Sequence, residues 1–205
     1  MSSFTYNSQQ SSRKLSFQEF HDACDDSNRT EWVNGRVVLV PTESTTHQQI
    51  LSFLNMTLSV FVQKHKLGEV LYRFLMRLEV VPCARVPDLL FVSESRKSLI
   101  THTYLDGPAD IAIEIVSPES SVRDCTEKLA EYQTGGVREY WLIDPERKRA
   151  DFFEQGADRR YYPVPLADGC YHSQVVPGYW FKVQELWDDQ LPDVLEMLRR
   201  LGVTN

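Results

Sequence analysis

Asp88 follows Pro87 at the head of the run Val86-Pro-Asp-Leu-Leu-Phe-Val92, and Glu114 sits inside Ala109-Asp-Ile-Ala-Ile-Glu-Ile-Val-Ser-Pro118. Taking either carboxylate out of water among such neighbours is costly unless a strong partner offsets it. A divalent cation is such a partner, and a lysine nearby can then act on the water that the metal activates. Lys128, on the segment after Glu114, is the candidate. Each residue has a plainer reading. Asp88 can be a turn former after proline, Glu114 an edge-strand acid facing water, and Lys128 a solvated helix residue.

Side chains alternate faces along a strand. In 111–116, Ile111, Ile113 and Ile115 share one face, while Ala112, Glu114 and Val116 share the other. Glu114 is the polar exception on a small-residue face. Two positions on, where a lysine would share that face, the chain carries Val116. Asp124, Lys128 and Tyr132 recur every four residues, so they lie along one side of the helix expected next. Val122, Cys125 and Leu129 form an adjoining apolar stripe that would hold this helix to the sheet. A helix packed back over its own strand brings Lys128 toward Glu114.

The elements that must position these residues are legible in outline. Residues 1–14 are rich in Ser and Gln, and are expected to be disordered or loosely attached; 15–205 is expected to form one domain. Ser16 and Glu19 make a capping box for a helix Phe17–Cys24. Asn34-Gly35 predicts a hairpin over Thr30–Val40. Apolar spacing predicts a helix from Thr45 to about Lys64, then one long strand over Glu69–Val81. Short strands are expected at Pro87–Ser93 and Asp110–Val116. A helix capped by Ser120 or Ser121 should run to about Thr134 and stop at Gly135-Gly136. Strands at Arg138–Ile143, Arg149–Glu154, Tyr161–Val164, Cys170–Val175 and Tyr179–Val183 follow, with a closing helix over Leu191–Leu201. This is a mixed α/β (α+β) chain with a β-α-β unit around Lys128 and a β-rich C-terminal half.

The 205 residues carry 29 Asp and Glu against 22 Lys and Arg, a net charge of −7. There is no overall basic field to gather polyanions, which argues against a general nucleic-acid coat protein but not against an enzyme with an acidic metal site. Cys24, Cys83, Cys125 and Cys170 form no CxxC pair, so free thiols in a reducing cytoplasm are expected, not a zinc site or disulfides. No signal pattern or bilayer-length apolar run is present, and a soluble, cytoplasmic protein is expected. Phosphate loops, GxSxG elbows and HExxH helices are absent. His47 is read as a residue packing or hydrogen-bonding at a helix start, and Asp144 as a turn builder. Tyr140, Trp141 and Trp180 are read as core or interface aromatics; Trp180-Phe181 could seed a homodimer contact. Arg147-Lys-Arg149 is read as a hairpin tip, with a phosphate contact as the alternative.

Several segments together carry a resemblance. They are Glu31-Trp-Val-Asn-Gly35, Thr46-His-Gln-Gln-Ile50, Val86-Pro-Asp-Leu-Leu-Phe-Val92, Ile113-Glu-Ile-Val-Ser-Pro-Glu-Ser120, Glu127-Lys-Leu-Ala-Glu-Tyr132 and Gly136-Val-Arg-Glu-Tyr-Trp-Leu-Ile-Asp-Pro145. In that order, over roughly residues 15–165, the chain resembles the Uma2-like (DUF820) group of the PD-(D/E)XK nuclease superfamily. The resemblance implies a restriction-endonuclease-like core, a mixed central β-sheet flanked by helices. It implies that Asp88 and Glu114 hold a divalent ion, with Lys128 as the migrated lysine replacing the residue absent at 116. Glu31 falls at an early acidic position that adds a metal ligand or holds a metal-bound water. Val86 stands where relatives often have glutamine. Oxygen ligands favour Mg²⁺ or Mn²⁺ over zinc. The expected function is a metal-dependent nuclease, with DNA as the expected nucleic-acid partner. The rival is a module that keeps the fold and binds nucleic acid or protein without cutting. A phosphohydrolase acting on a small nucleotide is a more distant third.

Overall fold

A computed structural model describes residues 13–23, 30–40, 42–117 and 122–204. Most of the expected N-terminal segment, Cys24 and the Ser120/Ser121 cap lie outside the described residues, as do the side chains of Val122, Asp124 and Cys125. In chain order the elements are helix α1 (Phe17–Ala23), strands β1 (Thr30–Val33) and β2 (Arg36–Leu39), helix α2 (Thr45–His65), and strands β3 (Gly68–Tyr72), β4 (Leu75–Leu78), β5 (Cys83–Arg85) and β6 (Leu89–Ser93). A 3-10 turn over Glu94–Leu99 leads to β7 (Tyr104–Asp106), β8 (Ile111–Ile115), helix α3 (Val122–Gly135), β9 (Glu139–Asp144) and β10 (Arg149–Gln155). Strands β11 (Tyr161–Pro163), β12 (Cys170–His172) and β13 (Trp180–Lys182), a 3-10 turn Val183–Trp187 and helix α4 (Val194–Arg200) complete the chain.

The fold is mixed α/β, as expected. Its central six-stranded sheet has the order β11-β10-β9-β8-β6-β3, in which β8 and β9 run parallel and the other pairs antiparallel. Helix α3 connects β8 to β9, giving the β-α-β unit. One face of this sheet carries Leu89, Phe91, Ile111, Ile113, Ile115 and Trp141, packed with Ile50, Leu54, Leu58 and Phe61 of α2. Each such fully buried aliphatic contributes roughly 1.5–3 kcal/mol. The opposite face presents Leu90, Val92, Ala112 and Tyr140 to Tyr132 of α3.

A second, five-stranded sheet, β2-β1-β5-β4-β7, packs on that same face through Met76, Leu78 and Cys83. The single long strand expected over Glu69–Val81 is therefore two strands in two sheets. The chain turns between them at Arg73, whose φ is 48° and whose N–H donates to Asp88 O at 3.1 Å. An arginine in the left-handed region carries no local sequence signal, because a tertiary hydrogen bond holds it there. Strands β5 and β7, three residues each, are too short to show alternation and were not anticipated.

Other local expectations hold. Glu19 and Ser16 exchange backbone and side-chain bonds (Ser16 N–H to Glu19 Oε2 at 2.8 Å, Glu19 N–H to Ser16 Oγ at 3.2 Å). Asn34 and Gly35, with φ of 51° and 85°, form the β1–β2 turn. The closing helix is shorter than expected, and Asp193 caps it. Phe181 is buried in the core and Trp180 lies partly buried under the Arg200 guanidinium. Cys83 is free and buried, and burial first of all pushes its thiol up to about 12. Among the described residues no helix is long and apolar enough to cross a membrane.

Asp110, fully buried just before β8, ties the sheet to the 3-10 turn after β6. It accepts from Ser93 N–H at 2.8 Å, Arg96 Nη1 at 2.9 Å and Arg138 Nη1 at 3.2 Å. Burial works to raise its pKa, but the Ser93 N–H and the Arg96 charge outweigh it and hold the value below the ordinary 3.8. The stability it contributes is thus present above about pH 3.8 and lost as pH falls through the folded-state value. Asp110→Asn is expected to cost about 1.5–3 kcal/mol at pH 7. Urea melts from pH 7 down to pH 2 should show the gap to wild type closing below pH 3.8; a gap independent of pH would refute the assignment.

Candidate metal and catalytic site

The candidate residues meet where the two sheets join. Pairing of Leu89 with Ile113 and Leu90 with Ala112 continues outward to place Asp88 beside Glu114. The Ile115 N–H donates to Asp88 Oδ2 at 2.8 Å and fixes that carboxylate. On the other sheet, Trp32 pairs with Ala84 and Val33 with Cys83, which sets Glu31 opposite Arg85. The segment Val86-Pro87-Asp88 is the chain's passage from β5 in one sheet to β6 in the other. Its proline favours the extended backbone such a passage needs. The short motif therefore connects the two halves of the site.

Helix α3 supplies the rest. Lys128 Nζ donates to both Glu114 oxygens at 2.8 Å and lies 3.2 Å from Glu31 Oε1. One turn on, Tyr132 OH donates to Glu114 Oε1 at 2.6 Å. Arg85 donates to Glu31 Oε2 at 2.7 Å and grips Glu131 of α3 with two bonds, at 2.7 and 2.9 Å. Val86 N–H donates to Glu31 Oε1 at 3.1 Å, so the backbone of position 86 takes part even though its side chain is apolar. Asp88, Glu114, Glu31 and Lys128 are thus brought into one neighbourhood, with Lys128 turned inward. Lys128 bridges Glu114 and Glu31; Asp88 has other partners.

Those partners come from the start of α2. His47 Nε2 lies 3.1 Å from Asp88 Oδ2, and Glu43 pairs with Arg73 and approaches His47. Residues read only as local features, or passed over, belong to the site: His47, Glu43, Arg73, Arg85, Glu131 and Tyr132 as a donor. The sequence signals that touched any of them were the four-residue spacing of Lys128 and Tyr132 and two segments of the resemblance, Thr46–Ile50 and Glu127–Tyr132, which contain His47, Glu131 and Tyr132 without giving them a role. The Arg147–Arg149 turn follows β9 at the same end of the sheet as Glu114. There Arg147 donates to Asp144 at 2.7 Å and Arg149 pairs with Asp151 at 2.8 Å.

Charge among the described side chains of this neighbourhood is unbalanced. Among the described side chains five carboxylates (Glu31, Glu43, Asp88, Glu114, Glu131) face three cations (Arg73, Arg85, Lys128). Glu114 bears the consequence: burial raises its pKa, the Lys128 charge opposes this, and Asp88 and Glu31 add to the rise. Glu31 goes the other way, because Lys128 and Arg85 outweigh its burial. Burial works to lower the Lys128 pKa, but Glu114 and Glu31 raise it well above the ordinary lysine value. A divalent cation at Asp88 and Glu114 would supply the missing charge, and the oxygen donor set suits a hard ion.

The model of the Uma2 family, described as "Putative restriction endonuclease", matches residues 17–184. The chain belongs to the Uma2 family. A solved structure of "a putative nuclease belonging to DUF820" from Anabaena variabilis aligns with a TM-score of 0.71 at 17% identity. The alignment covers 84% of this chain and 97% of that one, so the two share a fold. No curated protein matches the chain. The Uma2 match takes in every element that supplies a site residue, from Glu31 on β1 to Tyr132 on α3.

Proposed function

We propose that this Uma2-family protein is a Mg²⁺- or Mn²⁺-dependent endonuclease that hydrolyses phosphodiester bonds in DNA, with a PD-(D/E)XK arrangement whose lysine has migrated to α3. The observation that carries the reading is the convergence of Asp88, Glu114, Glu31 and Lys128 from both sheets and α3, with fewer cations than acids among the described side chains. A bound divalent ion supplies Lewis acidity, lowering the pKa of a coordinated water and offsetting charge on the scissile phosphate. Asp88 and Glu114 are the residues that would hold it.

The chain's own groups divide the remaining work. The Ile115 N–H and His47 keep Asp88 oriented toward Glu114. Tyr132 pins one Glu114 oxygen and restricts its rotamer. Lys128, held protonated by two carboxylates, is a donor at neutral pH, so it orients a water and offsets developing negative charge; it does not take the water's proton. Glu31 acts chiefly by holding Lys128 and Arg85 in place, since both its oxygens already accept hydrogen bonds. The exposed Arg147–Arg149 turn would meet a phosphate backbone by exchanging its pairs with Asp144 and Asp151 for phosphate.

Supercoiled plasmid and oligonucleotide duplexes incubated with Mg²⁺ or Mn²⁺ test the reading. Wild type should nick or cut the DNA, chelation should stop it, and Asp88→Asn should slow it by about 10³-fold, or ~4 kcal/mol of barrier. Equal cleavage by wild type and variant would remove the assigned site. No cleavage by either, with DNA still bound, would establish the non-catalytic reading. A small-nucleotide hydrolase gains nothing from the groove of about 520 Å³ beside α2: Thr46, Phe53, Met56, Leu186, Asp188 and Asp189 line it, and neither Asp88, Glu114 nor Lys128 does.

A further inference from the structure

The first turn of α2 carries a feature that DNA cleavage by the Asp88/Glu114 pair does not require. Ser44 caps the helix by accepting from the His47 N–H at 3.1 Å, which fixes where the imidazole emerges. The ring is buried, with 2% of its surface exposed. It stands between two acids: Nε2 is 3.1 Å from Asp88 Oδ2, and Nδ1 is 3.4 Å from Glu43 Oε2. At Nδ1 the contact is not a hydrogen bond, and that buried nitrogen makes none. A buried polar atom left in this condition costs about 1–3 kcal/mol unless something else satisfies it. A neutral imidazole with one ring nitrogen unbonded leaves that lone pair open to a metal ion. One ligand atom each from Glu43, His47 and Asp88 lies within 4.8 Å of the others.

We propose that Glu43, His47 and Asp88 form a cation position of their own, sharing Asp88 with the Glu114 pair, and that it selects a transition-metal ion such as Mn²⁺ over Mg²⁺. Imidazole nitrogen suits first-row transition ions, whereas Mg²⁺ keeps to oxygen ligands and its own waters. Arg73 faces the same Glu43 carboxylate, so the ion shares that acid with a guanidinium and its affinity is moderated. Asp88 then touches two cation positions, one built from oxygen alone and one with nitrogen, as in sites where two ions clamp one phosphate. This deepens the nuclease reading, and its bearing on cleavage rests on that reading; binding of the ion does not.

The test uses the full chain and MnCl₂ alone, with Mn²⁺ below one equivalent. Pulsed electron paramagnetic resonance should detect coupling to an imidazole ¹⁴N in wild type, and His47→Gln should abolish it. Mn²⁺ affinity should fall at least tenfold in His47→Gln and in Glu43→Gln, and Mg²⁺ affinity, by calorimetry, should fall by a clearly smaller factor in both. Should His47→Gln fail to fold by circular dichroism, Glu43→Gln alone decides through the Mn²⁺ affinity. No nitrogen coupling in wild type, coupling that survives His47→Gln, or an unchanged Mn²⁺ affinity in Glu43→Gln would overturn the proposal and leave His47 as a bridge between two acids. Nitrogen coupling without DNA cleavage would sustain the cation position while the nuclease reading falls. Mg²⁺-dependent cleavage without nitrogen coupling would do the reverse.

Discussion

Lys128→Ala is expected to slow metal-dependent cleavage by about 10²–10³-fold, or roughly 3–4 kcal/mol of barrier, and to lower stability by about 3–5 kcal/mol. Both effects follow from one ammonium serving two carboxylates. Without it Glu31 keeps Arg85, but among the described residues Glu114 keeps only the Tyr132 hydroxyl, beside Asp88. A buried acid stripped of its cation costs far more than an exposed ion pair is worth.

The pH dependence has a definite sign. The folded-state pKa of Lys128 lies above the unfolded one, so the stability it contributes is complete below the ordinary lysine value and lost only as pH rises through the folded value. The gap between wild type and Lys128→Ala should therefore stay flat from pH 7 to pH 9 in urea melts. Added Mg²⁺ should raise the melting temperature of Lys128→Ala more than that of wild type, since the ion supplies the missing charge. Lys128→Arg should recover part of the stability but little of the rate, because a planar guanidinium cannot place one point charge between two carboxylates. Wild-type cleavage and stability in Lys128→Ala would make the lysine a spectator.

What the sequence disclosed about this site was what alternation and helical period can carry. Period two put Glu114 on the Ala112 face, where it lies; period 3.6 put Lys128 and Tyr132 on one side of α3, and both reach the same carboxylate. The β8-α3-β9 unit follows from strand, helix and strand in close succession. What alternation cannot carry is which strands are neighbours. Glu31 meets Arg85 across 54 residues, and His47 meets Asp88 across 41. No local pattern marks either pairing. Arg85 lies in a three-residue strand whose residues are all buried, so it shows no polar-out alternation. The turn at Arg73 hid the second sheet for the same reason, because a long-range bond to Asp88 O sets it, not a glycine or proline.

Glu139→Leu is expected to cost about 3–5 kcal/mol of stability, with no recovery on adding Mg²⁺ or Mn²⁺. Glu139 is a fully buried acid one strand away from Glu114, on β9, between Arg138 and the apolar run Tyr140–Ile143. Its surroundings differ in kind. Oε1 accepts from Trp141 Nε1 at 2.7 Å and from the Tyr171 hydroxyl; Oε2 accepts from Ser173 Oγ at 3.2 Å, Gln174 N–H at 3.1 Å and Val175 N–H at 2.9 Å. Five neutral donors fill both oxygens and bind the 171–175 segment to the central sheet. Burial, then the Glu139 carboxyl, push the Tyr171 hydroxyl far above its ordinary range, so that it stays a donor. Leucine would leave all five donors without an acceptor, at the cost of buried unpaired groups. Glutamine should fall between, because its amide offers one acceptor oxygen and turns an N–H₂ toward donors. Urea melts of the three proteins, with and without metal, measure this directly. The contrast with Lys128→Ala carries the mechanistic weight: at Glu114 an added cation restores what was lost, and at Glu139 it cannot. Metal-dependent rescue of Glu139→Leu would mean that the two buried acids do not differ in the way their donors indicate.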